Sequence, residues 1–112
     1  MLDHERLDVY QRALEFCGLA LRLAGQFPRG YGALADQLRR AASSIPLNVA
    51  EGAGKVSAGE RAQCYRIARG SAMECGAAID VVRLIGGPSG KDLDEAKELL
   101  VRIVAMLTRM CR

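Results

Sequence analysis

Tryptophan is absent from this sequence, and two phenylalanines and three tyrosines hold aromatics to 4% of its 112 residues. Strands draw heavily on aromatic and β-branched residues, whereas the abundant alanine, leucine and arginine here suit packed helices. A single histidine, His4, lies near the N-terminus, where it reads as a surface residue on a frayed end. The four cysteines, Cys17, Cys64, Cys75 and Cys111, are scattered with no Cys-x-x-Cys pair. A zinc or haem site has almost nothing to be built from, so no metal and no cofactor is expected. Reduced, buried thiols are the expectation. Cys64 and Cys75 share a helix face but stand about 16 Å apart along the axis, too far to bridge. No apolar run approaches the roughly 20 residues of a membrane span, and Met1 to Arg6 is charged where a signal peptide carries an apolar core. A soluble, cytoplasmic protein is therefore expected.

The net charge is +3 and the pI 8.8, a mild excess short of a dedicated nucleic-acid binder. Thirteen of the 16 basic residues are arginine. Arginine suits bidentate contact with carboxylate or phosphate, although a genome rich in G and C produces the same bias. One domain spanning residues 1–112 is long enough to bury a modest core.

The most unusual stretch is Gln37 to Gly52, which sets Pro46 inside an otherwise helical pattern. An interior proline costs about 3 kcal/mol. Yet Leu34, Leu38, Ala41, Ile45 and Val49 keep one apolar stripe in phase across it, so one kinked helix is expected from about Tyr31 or Gly32 to Ala53. The Ala42 carbonyl that Pro46 leaves free then needs a partner such as a nearby serine hydroxyl or water. Beside that stripe Gln37, Arg40, Ser44, Asn48 and Glu51 recur at three- and four-residue steps as a polar ladder, either buried or set between subunits.

Three more helices flank it. Asp8-Val9-Tyr10-Gln11 has capping-box spacing. It opens a first helix carrying two stripes: Val9, Ala13, Phe16, Ala20, Leu23 and Phe27, then Tyr10, Leu14, Cys17, Leu21 and Ala24. Phe27-Pro28-Arg29-Gly30 stops it. Gly52-Ala53-Gly54-Lys55 is no phosphate loop, because Val49 and Val56 stand where the Walker pattern requires Gly and Ser or Thr; Gly52 and Gly54 end the second helix. Ser57-Ala58-Gly59-Glu60 caps the third, which runs from Ala58 to about Ile85. Its Gly59, Gly70 and Gly76 each cost about 1 kcal/mol relative to alanine, a penalty understandable where another helix approaches closely. Asp92-Leu93-Asp94-Glu95 reads as the cap of the fourth, whose seam is Leu93, Ala96, Leu100, Ile103, Leu107 and Met110. Short loops between four amphipathic helices give an all-α, up-down-up-down antiparallel four-helix bundle.

Four pieces resemble a known family: Leu7 to Ala13, Gln37 to Gly52, Ser57 to Glu60, and Ala68-Arg69-Gly70-Ser71-Ala72-Met73-Glu74. They are similar to the small four-helix-bundle proteins encoded by intervening sequences in bacterial 23S ribosomal RNA genes, whose relatives include the accessory protein of diversity-generating retroelements. The resemblance implies a ring, usually described as a homopentamer, and implies no enzyme.

Two functions follow from the polar residues. Symmetry about a turn near Lys55 sets Glu51 against Arg61 and Arg39 or Arg40 against Glu74, which fits a non-catalytic, self-assembling scaffold or adaptor with a register-fixing ladder. Alternatively Arg39, Arg66 and Arg69 contact RNA or DNA phosphates on the oligomer surface. Catalysis has little to work with, since Ser43 and Ser44 lack a base nearby in sequence.

Overall fold

The apolar periodicity becomes four helices. The computed structural model describes residues 1–112, with α1 at Asp8–Ala24, α2 at Gly32–Ala53, α3 at Ala58–Ile85 and α4 at Gly90–Met110. Helices consecutive in the chain pack on each other, α1 closing the square against α4, while α1 and α3 lie on one diagonal. Short connections force antiparallel neighbours, and the bundle measures 44 × 25 × 23 Å.

Every helix sends one stripe into a single core. Phe16 and Leu23 of α1, Leu38, Ile45 and Val49 of α2, Ile79 and Val82 of α3, and Ile103 and Leu107 of α4 are all inaccessible to solvent. The second stripe of α1 behaves differently: Ala24 is buried, but Leu14 and Leu21 remain exposed.

Pro46 does not break α2, which stays helical from Gly32 to Ala53. Ile45 and Val49 on either side are fully buried, and burying two such side chains stabilises by about 3–6 kcal/mol. That offsets the proline penalty of about 3 kcal/mol. Of the two serines near the Ala42 carbonyl, Ser43 donates its hydroxyl to the Arg40 carbonyl at 3.1 Å and Ser44 Oγ meets Ser71 and Asn48.

Several helix ends differ from the sequence reading. Asp8 is the first residue of α1 rather than its cap; Leu7 occupies the cap position with no side-chain hydrogen bond. The helix ends at Ala24, three residues before Phe27, as the chain turns toward Pro28 and Gly30 with Gly30 at φ 95°. Ser57 caps α3 as expected, its hydroxyl accepting from the Glu60 amide at 3.1 Å and donating to the Glu60 carboxylate at 3.0 Å. In α4 the cap is Ser89, which accepts from the Asp92 amide at 3.1 Å. Gly90 and Lys91 thus belong to the helix, because a serine three residues ahead of an acceptor-rich turn satisfies its free amides better than the acidic run behind it.

The N-terminal end is docked rather than frayed. Asp3–Arg6 forms a 3-10 turn against α1 and α2, and the half-buried His4 ring meets Tyr10 edge to face at 4.6 Å.

The glycines divide by environment. A Cβ on Gly52 would lie 2.6 Å from Tyr65 Cε1 and 3.0 Å from Cys64 Cβ, so this glycine marks a close approach of α2 to α3. Gly59 and Gly70 face open space, and Gly76 would meet only Leu100 Cδ1 at 3.9 Å. Between helices, then, close packing falls on Gly52 and not on the three glycines of α3.

Candidate functional site

Along the outer seam between α2 and α3, the antiparallel pairing of two long helices brings together Gln37, Arg40 and Ser44 from one and Ser71 and Glu74 from the other. They line a polar groove of about 250 Å³. Ser44 is its hub. The Ser71 hydroxyl donates to Ser44 Oγ at 2.9 Å, while the Asn48 amide donates to Ser44 Oγ at 2.9 Å and to its carbonyl at 2.8 Å. All three side chains are half-buried, where an unpaired polar group would cost about 1–3 kcal/mol. The network therefore fixes the register of the two helices within one subunit.

Two turns toward the N-terminus of α2 from Ser44, Gln37 Nε2 donates to Glu74 Oε1 at 3.0 Å. The partner of Glu74 is thus Gln37, not Arg39 or Arg40. Glu51 likewise does not meet Arg61. It is exposed and stands 3.8 Å from Lys55, whereas Arg61 Nη1 donates to the carbonyls of Lys55 and Val56 at 3.1 and 2.7 Å, tying down the α2–α3 turn. Of the five ladder residues, Ser44 and Asn48 are joined directly, Gln37 and Arg40 share the groove with Ser44, and Glu51 lies apart. Arg40 has no acidic partner: the ion pairs are Arg12 with Asp8 and Glu15, Arg39 with Asp36, Lys55 with Glu51, Arg83 with Asp94, and Lys97 with Asp80.

Arg39, Arg66 and Arg69 each engage a different partner. Arg39 is neutralised by Asp36 at 2.8 Å. Arg66 donates to Gln63 Oε1 at 3.1 and 3.2 Å, and Arg69 to Thr108 Oγ1 at 2.8 Å. The last two have no carboxylate partner, since their acceptors are neutral.

A second groove, about 380 Å³, runs between α3 and α4. Ala72, Gly76, Leu100, Val101 and Val104 make it apolar, and the Asp80–Lys97 pair, 2.6 Å apart, borders it. Sequence reading missed it because residues of two different helices make it, and Gly76 among them adds no side chain to the apolar pattern. The thiols are ordinary core groups: Cys64 and Cys75 are buried, Cys17 and Cys111 half-buried, and all four are free. Burial pushes the Cys17 thiol up from its usual value and the Cys75 thiol up to about 12.

Fold and grooves together define an all-α four-helix-bundle protein with a polar groove between α2 and α3 and an apolar one between α3 and α4. The model of the 23S rRNA-intervening sequence protein family matches residues 5–109. The chain belongs to that family. A search of the curated proteins finds no match to it. No helix is long and apolar enough to cross a membrane.

Proposed function

We propose that this chain is a non-catalytic, cytoplasmic scaffold or adaptor that assembles with copies of itself into a homopentamer. The observation supporting it is apolar surface left over once the bundle has closed. Leu14, Leu21, Leu47, Ile67, Val81 and Val101 are all exposed although they stand on ordered helices and the core is complete without them. Apolar surface repeated on neighbouring turns is the mark of an interface. The number five is what the family resemblance implies. Light scattering on a size-exclusion column, with and without high salt, tests the reading. A single symmetric mass several times that of the subunit supports it, and a monomer at all concentrations sinks it.

The runner-up reading is contact with RNA or DNA. Arg66 and Arg69 favour it, because both sit on α3 without a carboxylate partner, and a ring would multiply any such patch by avidity. Phosphate binding of this kind weakens steeply with salt. Titration of structured RNA at two salt concentrations distinguishes the readings. Salt-sensitive binding that falls in Arg66→Ala and Arg69→Ala favours the nucleic-acid role, and no binding at low salt removes it.

A further inference from the structure

Four of the exposed apolar residues, Leu14 and Leu21 of α1 and Ile67 and Val81 of α3, stand in two ridges on opposite corners of the square, apart from Leu47 of α2 and Val101 of α4. On α1, Gln11, Leu14, Gly18 and Leu21 succeed one another at three- and four-residue steps, all exposed. On α3, Ile67, Gly70, Glu74, Ala77 and Val81 do the same, again all exposed. Such spacing is that of a coiled-coil seam, and both ridges stay exposed in the subunit, the α3 ridge running beside α2, where Glu74 accepts from Gln37 and Ala77 and Val81 line a cleft with Leu34.

The ridges match each other in size. Leu14 and Leu21, exposed by 43% and 49%, stand seven residues apart, about 10.5 Å along the helix. Gly70 and Ala77 have the same separation. A Cβ on Gly18 or Gly70 would meet nothing within 4 Å, so both offer empty holes. Seating the two leucines of one ridge over the two small residues of the other leaves Gly18 level with Glu74, a small residue against the large one.

They match in charge as well. Arg22, one turn beyond Gly18 and exposed, has no acidic partner in the subunit, and Glu74 meets only the neutral amide of Gln37. With the leucines seated, Arg22 lies about 6 Å along the axis from Glu74, within the reach of an arginine. A twofold pairing of α3 with itself would instead bring Glu74 against Glu74, a like-charge contact that destabilises helix pairs.

We infer that the α1 ridge of one subunit docks on the α3 ridge of a second copy of this chain, head to tail. Such heterologous contacts build closed rings when the rotation between subunits divides the circle. The inference rests on the self-assembly proposed above and adds which surfaces meet.

Leu21→Arg spoils the α1 ridge and Gly70→Arg the α3 ridge. Light scattering is expected to show each variant alone as a monomer with unchanged helicity by circular dichroism. Mixed in equal amounts they are expected to give a capped dimer of twice the 12.1 kDa subunit mass, because each retains the ridge the other lacks. Gly18→Gln and Ala77→Gln repeat the experiment should either arginine variant lose helix. An assembled wild type whose variants keep their mass overturns this pairing alone. Monomeric variants that stay monomeric on mixing overturn its head-to-tail character, and a monomeric wild type overturns self-assembly itself.

Discussion

Gly52 lies so close beneath the ring of Tyr65 that a methyl group on its α-carbon would sit 2.6 Å from Cε1. The aromatic ring and the glycine form a knob and a hole at the mouth of the α2–α3 hairpin, where both are buried. Gly52→Ala gains helix propensity worth about 1 kcal/mol, but the overpacking costs about 1–3 kcal/mol. The expected balance is a loss of stability in urea unfolding. Tyr65→Leu in the same background is expected to recover part of it, since the shorter side chain frees the space.

The buried thiol of Cys75 gives a pH dependence. Desolvation raises it from 9.0 to about 12, with Glu74 and Cys17 adding in the same direction. Between those values the folded chain keeps a proton that the unfolded chain has released. Stability is thus intact below pH 9 and falls as pH rises, by up to about 1.4 kcal/mol per pH unit for this group. Desolvation also raises Tyr65 above 10.0, against the opposing pull of Arg61, which adds loss of the same sign. Thermal unfolding from pH 8 to 11 is expected to show a falling midpoint, and Cys75→Ala a shallower decline.

Ser71→Ala removes the donor to Ser44 and leaves the Asn48 contacts in place. A loss of about 0.5–1.5 kcal/mol is expected in chemical unfolding. The mass by light scattering should not change, because this bond joins two helices of one subunit. A change of mass would place the network between subunits instead.

The four helices and the core stripes were legible because burial imposes a period on the residues that carry it. Continuity through Pro46 was legible for the same reason, since Ile45 and Val49 stay in phase. Partners across the α2–α3 seam were not legible. Symmetry about Lys55 set Glu51 against Arg61, but the Gly52–Tyr65 approach fixes a different register, and an arginine's long side chain reaches turn carbonyls as readily as a carboxylate. Gly52 itself read as a helix end, because its packing role depends on a ring contributed thirteen residues later. The Ser89 cap did have a signal, a serine three residues before Asp92, and the denser acidic run beyond it masked that spacing.

Gly70 gives a test in which the sign of the effect carries the answer. In the isolated subunit its Cβ position is empty and its backbone is mid-helix, so Gly70→Ala is expected to stabilise the monomer by about 1 kcal/mol. Against a second helix the same methyl group enters the space reserved for a leucine and weakens the contact. Dilute samples should therefore melt higher than wild type, while the concentration needed for half-assembly, read by light scattering, should rise. Dilute stabilisation with unchanged assembly would show that this glycine faces water in the assembled protein. A melting point lowered even in dilute solution would mean that a neighbour within the subunit already fills the site.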